Sequence, residues 1–244
     1  RVIGTEHTDF EVSPDPFLDK EQAARRRDFT LNALMYDIKN NRILDFFGGQ
    51  QDLRDGIIRH IDDITFVEDP LRVYRAAQFA ARFNFRIHPS TIALSSMTDL
   101  SSLPPERIYE EFKKMLLSSE NPSVGLQALD DMKVFDRYFP EFAALKSNFQ
   151  NPDWHAEGDV FTHTKMVLDK AVNIARRFSD EKDQLVIMLA ALVHDIGKPA
   201  VTKTDENGKI THYGHEEVGT KIANEFLSKL TQEQDILDDV LFIV

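Results

Sequence analysis

The chain has 244 residues, of which 42% are hydrophobic and 29% charged, a composition typical of a globular protein with one to three domains. It contains no cysteine, which excludes disulfides and thiolate metal sites. Any bound metal must therefore be held by histidines and carboxylates. The net charge of −12 argues against a grip on nucleic acid over the whole surface.

The charge is unevenly distributed along the chain. Residues 181–244 carry six Lys and Arg against twelve Asp and Glu, whereas residues 1–60 carry nine against eleven. We therefore expect any RNA contact to be local and to lie near Arg25–Arg27. The longest apolar run, Leu185–Val193, has nine residues, well short of the roughly 20 of a membrane span. We expect a cytoplasmic protein with no membrane partner.

The first 64 residues have the pattern of a small α+β unit. Because Arg1 stands where a Met would begin a protein, we expect an interior segment of a longer chain. Short alternating runs predict strands and a longer apolar periodicity predicts a helix. The predicted elements are a strand at Asp9–Ser13, a helix at Lys20–Asp37, strands at Arg42–Phe46 and Ile57–Ile61, a turn at Gly48-Gly49 and a short helical piece at Asp52-Leu53.

From Asp69 onwards the pattern is almost wholly helical. Asp69 is suited to cap a helix whose first residue is Pro70, where the missing N–H costs nothing. Further helix starts are predicted at Pro89-Ser90, Pro104-Pro105 and Asn121-Pro122, and a β-hairpin is predicted around Asn207-Gly208. We expect a mainly α fold divided into residues 1–64, 65–148 and 149–244.

Asp69, Arg72 and Arg75 are spaced to share one face of the predicted helix. A carboxylate accepts from an exocyclic amine and a guanidinium donates to ring acceptors, so Asp69 and Arg72 together could read the edges of cytosine and adenine. Arg75 could then reach phosphates. On spacing alone, a capping Asp with a surface i,i+3 ion pair is the commoner explanation of such residues.

The run Arg25-Arg26-Arg27-Asp28 allows two interpretations as well. Arg27 could hold phosphates and Asp28 a ribose hydroxyl, or the run could be a solvated basic helix face with one internal ion pair.

Four short sequence motifs decide between nucleotide binding and surface ion pairs for these residues. They occur in order as Arg-Arg-Asp-Phe-Thr-x-Asn-Ala (26–33), Asp-Phe-Phe-Gly-Gly-x-x-Asp-Leu (45–53), Glu-Asp-Pro-Leu-Arg (68–72) and Glu-Arg-Ile (106–108). The series resembles the bacterial tRNA nucleotidyltransferases, the CCA-adding enzymes and their poly(A) polymerase relatives. The resemblance covers residues 9 to about 145.

The resemblance implies a nucleotide-binding role for a set of polar residues. Arg27 and Asp28 would contact phosphates and ribose, and Asp69 and Arg72 would serve as the amino-acid template for the incoming base. Gln78 stands where many members have a further arginine, so that contact would be weakened or absent. Glu106, Arg107 and Glu111 match a helix-turn motif that supports structure more than chemistry. The implied nucleotide-binding residues are Arg27, Asp28, Asn32, Asp69, Arg72 and Arg75.

The family's pair of metal-binding carboxylates, which would hold Mg²⁺ for nucleotidyl transfer, precedes the segment that this chain matches. Asp9 and Glu11 have suitable spacing, but they match the segment before the Arg-Arg-Asp word, so we interpret them as structural. We therefore expect no catalytic residue for nucleotidyl transfer within this chain, and transfer only by the longer parent protein.

Five of the eight histidines lie between His155 and His215. Neutral imidazoles and a carboxylate suit a divalent metal ion, which can activate water for attack on a phosphoester. The alternative for a single His is a core residue or a helix C-cap, and His194 would also suit the dipole of a helix end.

The arrangement resembles the HD phosphohydrolase superfamily, with His163, His194 and Asp195 in its ligand positions. His155–Thr164 and Tyr213-Gly214-His215-Glu216 resemble the HD domain fused to some CCA-adding enzymes, which is associated with phosphatase and 2′,3′-cyclic phosphodiesterase activities. The resemblance implies Mg²⁺, Mn²⁺ or Ni²⁺ as the metal. Further candidates for the site are Lys198, which could neutralise phosphate, His212 and His215.

The superfamily usually has a last Asp ligand on a later helix. Asp238 and Asp239 are the candidates, but both come early, so we expect the HD domain over residues 149–244 to be incomplete at its C-terminus.

We expect the parent protein to add C and A to tRNA 3′ ends from CTP and ATP and to carry a metal-dependent phosphohydrolase. The resemblance makes residues 1–64 the end of a nucleotidyltransferase head and residues 65–148 a helical neck and body. The alternatives are a poly(A) polymerase of the same family, an HD phosphohydrolase whose nucleotidyltransferase part is inactive, and a non-catalytic RNA-binding remnant.

Overall fold

The computed structural model describes residues 18–244, so the predicted strand at Asp9–Ser13 and the residues Asp9 and Glu11 lie outside the described part. Residues 18–244 form a mainly helical structure with small two-stranded sheets. This confirms the predicted fold class. Buried apolar side chains from Phe29 to Val240 belong to one hydrophobic core.

The helices and strands of residues 18–244 are as follows. The helices are α1 (Lys20–Arg25), α2 (Gly49–Asp55), α3 (Asp63–Glu68), α4 (Leu71–Phe83), α5 (Pro89–Met97), α6 (Pro105–Leu117), α7 (Pro122–Asp131), α8 (Val134–Tyr138), α9 (Pro140–Ala143), α10 (Val160–Ala175), α11 (Glu181–Val193), α12 (Lys198–Val201), α13 (His215–Ser228) and α14 (Gln234–Ile243). The strands are β1 (Met35–Asp37), β2 (Arg42–Leu44), β3 (Ile57–Ile58), β4 (Arg86–Ile87), β5 (Lys203–Thr204) and β6 (Ile210–Thr211).

The predicted helix over Lys20–Asp37 is wrong beyond its first turns. Helix α1 ends at Arg25, a 3₁₀ turn follows at Thr30–Ala33, and Met35–Asp37 forms β1, antiparallel to β2. The helix ends because Phe29 is fully buried and forms a β-bridge with His60. Burial of a large aromatic ring outweighs the helix propensity of this segment.

Prolines mark the beginnings of the body helices as predicted. Helices α5, α6 and α7 each have Pro in their first turn. Helix α4 begins at Leu71, one residue later than expected, and the Asp69 carboxylate accepts a hydrogen bond from the Leu71 N–H at 3.3 Å. Helix α4 packs against α6 and α7, and this places Asp69 and its neighbours at the edge of the body.

The C-terminal helices pack on one another and on the body. Helix α10 packs against α11 and α7, and α11 also contacts α6 and α14. Phenylalanine rings join these helices: the Phe142 and Phe226 ring centroids are 4.9 Å apart, and Phe135 and Phe161 are 5.9 Å apart. The body and the C-terminal part therefore share one core.

The segment Glu181–Val201, which contains α11, is long and apolar enough to cross a membrane by length and composition alone. Of its most apolar window, 61% is buried within the structure, as expected for a core helix of a globular protein. This segment is weak support for a membrane span.

The predicted hairpin is confirmed. Strands β5 and β6 pair antiparallel with Lys203 opposite Thr211, and Gly208 in the turn has φ +79°. The hairpin leads into α13 through Gly214, at φ +78°, so that His212 and His215 lie next to the end of α11.

Helix α12 and helix α13 approach each other at a pair of glycines. A Cβ on Gly197 would lie 2.3 Å from the His215 carbonyl oxygen and 2.5 Å from the Gly219 nitrogen, both backbone atoms. A Cβ on Gly219 would have its nearest neighbour at 3.4 Å, an ordinary contact. The close approach therefore depends on Gly197 rather than on Gly219.

We expect Gly197→Ala to lower the free energy of unfolding by about 1–3 kcal/mol, because α13 must move away from α12. The matched substitution Gly219→Ala should be neutral or stabilise by up to about 1 kcal/mol, since Ala favours a helix over Gly. Urea unfolding of both variants measures the difference. Equal stabilities for the two variants would contradict the close packing.

Candidate functional sites

An arginine-lined cleft lies where the N-terminal unit meets α4. We call it the arginine cleft; its volume is about 230 Å³ and its lining residues are Arg26, Arg27, Asp28, Asp69, Leu71, Arg72, Arg75 and Arg107. Five arginines and two aspartates line it, so the cleft is locally positive in an acidic chain. Such a cleft suits a phosphate-bearing ligand.

Asp28 is held at the back of the arginine cleft. Its carboxylate is 7% exposed, accepts a hydrogen bond from Asn32 Nδ2 at 2.5 Å and pairs with Arg75 Nε at 2.5 Å. Arg75 Nη1 also lies 3.9 Å from the buried Glu111 carboxylate. Arg75 thus links the N-terminal unit to α4 and α6, and Asn32 acts on Asp28 rather than lining the cleft.

Asp69 and Arg72 both line the cleft, as the predicted template requires, but they do not pair with each other. Asp69 lies 3.3 Å from Arg107 Nη2, which comes from α6. Arg72 donates to the backbone carbonyl of Thr65 and, at 3.0 Å, to that of Arg26. The sequence motif containing Arg107 was assigned a supporting role, whereas the structure places its guanidinium in the cleft.

Arg27 is exposed at the mouth of the cleft. Within residues 18–244 its side chain forms no hydrogen bond or ion pair, unlike those of Arg72, Arg75 and Arg107. Gln78, which stands where related sequences have a further arginine, is buried and does not line the cleft. Arg27 is therefore available to an incoming anion without breaking an existing contact.

A second group of polar side chains surrounds Asp195 at the end of α11. We call His163, His194, His215, Asp195 and Lys198 the histidine cluster. Asp195 Oδ2 lies 3.1 Å from His194 Nε2 and 3.6 Å from His163 Nε2, and its Oδ1 lies 3.6 Å from His215 Nε2. Ligand atoms of His163, His194 and Asp195 all lie within 4.8 Å of one another.

Hydrogen bonds orient all three imidazoles in the same sense. His163 Nδ1 donates to Glu157 at 2.6 Å, His194 Nδ1 to the Ala191 carbonyl at 3.0 Å, and His215 Nδ1 to the His212 carbonyl at 2.9 Å. In each neutral ring the unprotonated Nε2 therefore faces Asp195. Such outer hydrogen bonds are typical of metal-bound histidines, since they leave one lone pair aimed at the ion.

The charge state of the cluster also suits a cation. Burial raises the pKa of Asp195, but without a metal ion the hydrogen bond and charge of a protonated His194, together with the Lys198 ammonium, outweigh it and hold that pKa well below its usual range. Burial lowers the pKa of His163 against the opposing effect of Glu157, which favours the neutral ring.

Lys198 is a buried cation held by two acceptors. Its Nζ lies 2.7 Å from Asp195 Oδ2 and donates to Gln150 Oε1 at 2.7 Å. His212 lies behind it with Nδ1 against Thr202 Oγ1 at 2.9 Å, and its Nε2 has no partner within residues 18–244. The three histidines and Asp195 thus fit a divalent ion, and Lys198 fits a phosphate oxygen beside it.

Two features of the cluster differ from the sequence analysis. Glu157 was not singled out, yet it bonds both His155 and His163, and its pKa is lowered to about 2 by a backbone N–H and these two rings. Asp238 and Asp239 lie away from the cluster, where Gln234 bonds Asp238 and Lys182 pairs with Asp239 at 2.8 Å. The nearby carboxylate in His155-x-Glu157 was the available signal for Glu157.

Three family models match successive parts of the chain. The poly A polymerase head domain matches residues 5–59, the probable RNA and SrmB-binding site of polymerase A matches residues 84–146, and the HD domain matches residues 160–244.

Curated relatives extend this order over the whole chain. The multifunctional CCA protein of Tolumonas auensis is 36% identical over 250 residues, covering 100% of this chain and 58% of the relative. That of Pasteurella multocida is 38% identical over 226 residues, covering 90% of this chain and 52% of the relative. The chain belongs to the CCA-adding nucleotidyltransferase and poly(A) polymerase family and carries an HD domain. It spans about half the length of these relatives.

A solved tRNA-processing enzyme in an apo form matches the fold. The TM-score is 0.60 at 23% identity, with 92% of this chain and 57% of that chain covered. At this identity the likeness concerns the fold alone.

We expect Glu157→Ala to weaken Mn²⁺ binding by about 10- to 100-fold, because His163 loses the acceptor that orients its ring. Isothermal titration of the apoprotein with Mn²⁺ measures the effect. Glu141→Ala is the matched control, since Glu141 is also a shielded carboxylate in an ion pair, with Lys229 at 3.1 Å. Unchanged Mn²⁺ affinity in Glu157→Ala would rule out this orienting role.

Proposed function

We propose that this chain forms the nucleotide-holding and RNA-binding part of a tRNA CCA-adding nucleotidyltransferase, which adds C and A to tRNA 3′ ends from CTP and ATP. The observation that carries the proposal is the arginine cleft, which Asp69, just before α4, and Arg72, in the first turn of α4, line together with Arg27 and Asp28. The name of the Tolumonas auensis relative, a multifunctional CCA protein, supports CCA addition. The acidic overall charge agrees with a local contact with tRNA.

Within the cleft, the roles follow from charge and position. Asp69 and Arg72 would bond the Watson–Crick edge of cytosine or adenine, and Arg27 would take the phosphates. Asp28, held by Asn32, would accept from a ribose hydroxyl while Arg75 balances its charge. Arg107, now paired with Asp69, would set the direction of the Asp69 carboxylate.

The cleft itself does not fit the Mg²⁺ ions that nucleotidyl transfer needs. Within residues 18–244, the groups of side chains that could hold a metal both lie around His163, and Asp28 is already paired with Arg75. We therefore assign binding and base selection, and no transfer step, to the described residues.

A poly(A) polymerase of the same family is the second candidate, and the poly A polymerase head domain match favours it. The two activities differ in product: a CCA-adding enzyme stops after C, C and A, whereas a poly(A) polymerase uses ATP repeatedly. Product length on tRNA lacking CCA separates them.

We expect Arg72→Ala to lower CTP and ATP incorporation by about 10- to 100-fold in the longer protein that carries this chain, the scale of a lost bidentate base contact. Incorporation into tRNA lacking its terminal CCA is the measurement. Arg82→Ala, an exposed arginine of the same helix α4, is the control and should leave incorporation unchanged. Equal activity of the two variants would remove the template role from Arg72.

For residues 149–244 we propose a metal-dependent phosphohydrolase of the HD type. His163, His194 and Asp195, with His215 beside them, would hold Mg²⁺, Mn²⁺ or Ni²⁺. Such an ion supplies hydroxide by lowering the pKa of bound water. Lys198 would bind a phosphate oxygen of the substrate beside Asp195. The Nε2 atoms of His163 and His194, which lie 3.6 and 3.1 Å from Asp195 Oδ2, support this role.

We expect His194→Ala to reduce hydrolysis of a 2′,3′-cyclic nucleotide by at least about 100-fold while CCA addition by the same longer protein continues. Arg72→Ala should show the opposite pattern. Both activities are measured on each variant, after thermal melting shows that it is folded. Loss of both activities in either folded variant would contradict two separate sites. Hydrolysis without incorporation in the wild-type protein would favour an HD phosphohydrolase with an inactive nucleotidyltransferase part.

The proposed division remains residues 1–64, 65–148 and 149–244. The family matches at residues 5–59, 84–146 and 160–244 support it. We further propose a cytoplasmic location, where tRNA, CTP and ATP would be its partners.

A further inference from the structure

Beside the histidine cluster lies a second cavity, which we call the aromatic pocket. Its volume is about 560 Å³, and Trp154, His155, Lys198, Lys209, Tyr213 and His215 are among its lining residues. Cavities of this size hold small organic ligands. Lys198 belongs to both sites, so the pocket opens directly onto the group nearest Asp195.

Two large aromatic side chains stand exposed at this pocket. Trp154 is 82% exposed and Tyr213 is 84% exposed, and neither ring stacks on another aromatic ring of residues 18–244. Single exposed aromatics are common, but two around one cavity form an unsatisfied stacking surface.

Tight turns place both rings next to the histidine cluster. The Trp154 and His155 N–H groups donate to the Asn151 carbonyl at 3.1 and 2.9 Å, and the His215 N–H donates to the His212 carbonyl at 3.2 Å. Trp154 is therefore adjacent to His155, whose ring contacts that of His163 at 4.8 Å, and Tyr213 is two residues from His215. A ligand in this pocket can thus reach Lys198, whose Nζ lies 2.7 Å from Asp195 Oδ2.

The polar lining of the pocket suits a phosphate ester of a nucleoside. The Lys209 side chain is exposed and forms no ion pair within the described residues, so it adds a free cation to that of Lys198. The one carboxylate in the lining, Glu216, can accept from the exocyclic amine of a base. The aromatic rings thus match the face of a base, the lysines match a phosphate, and the Glu216 carboxylate matches the edge of the base.

We propose that the aromatic pocket binds the base of a nucleoside phosphate, with the ring stacked on Trp154 and Tyr213 and the phosphate directed to Lys198. This binding site extends the proposed phosphohydrolase function. Hydrolysis of the bound nucleotide rests on that proposed function, whereas binding of the nucleotide does not. The ligand comes from a free mononucleotide or from the end of an RNA strand, which present the same chemistry.

Trp154 is the single tryptophan of the chain, so its fluorescence reports on this pocket directly. We expect AMP and CMP to quench it in a saturable manner, whereas ribose 5-phosphate and inorganic phosphate should leave it unchanged because they lack a base. Tyr213→Ala should weaken AMP binding by about 5- to 100-fold, the scale of one lost stacking contact. Tyr36→Ala, which removes an exposed tyrosine of β1, is the matched control.

Calorimetric binding of AMP to Trp154→Ala gives a second measurement that does not depend on fluorescence. Equal AMP affinity in wild type, Trp154→Ala and Tyr213→Ala, or equal affinity of wild type for AMP and ribose 5-phosphate, would overturn base recognition. Tighter binding of a short oligoribonucleotide than of AMP would identify an RNA end as the ligand, and equal binding would identify the mononucleotide.

Hydrolysis assays keep this proposal separate from the phosphohydrolase. Quenching by AMP without any cyclic-nucleotide hydrolysis would support base binding in the pocket and contradict the proposed phosphohydrolase. Metal-dependent hydrolysis with no quenching, and with the same KM in wild type and Tyr213→Ala, would support the phosphohydrolase and contradict base binding in the pocket.

Discussion

The buried Asp195 carboxylate is the charge around which the C-terminal part of the structure is arranged. It is 3% exposed, and a carboxylate so buried stays ionised only among hydrogen-bond donors and cations. Helix α10 brings His163, the end of α11 brings His194, α12 brings Lys198 and α13 brings His215. Four helices must therefore converge on one point, and the Gly197 contact with α13 is a consequence of that convergence.

The two sites are built on one continuous scaffold. The arginine cleft lies at the start of α4, α4 packs on α7, and α7 packs on α10, which carries His163. The phenylalanine contacts between Phe142 and Phe226 and between Phe135 and Phe161 tie the body to the same helices. Because closely packed cores have low compressibility, neither site can shift far without repacking these rings.

Sequence signals that act within a few residues correctly predicted the helix starts and the hairpin turn. Prolines placed the beginnings of α5, α6 and α7, and Asn207-Gly208 placed the hairpin, because both act through backbone constraints within a few residues. The end of α1 was missed because it depends on burial of Phe29 against residues far along the chain.

The same distinction applies to the sites. Motif order brought Asp69 and Arg72 into one region and His163, His194 and Asp195 into another. It did not show that Arg107 pairs with Asp69 or that Glu157 orients His163, since both contacts join separate elements. Spacing along one helix predicts which face residues share, but not which partner each side chain takes.

The two backbone contacts of Arg72 have a thermodynamic consequence. Its guanidinium bridges the Thr65 and Arg26 carbonyls, and so ties α3 to the segment after α1. A ligand that recruits Arg72 by displacing one or both carbonyls loosens the tie between the two segments as it binds. By linkage, any partner that separates these segments strengthens ligand binding at Arg72, and any partner that clamps them together weakens it by the same factor.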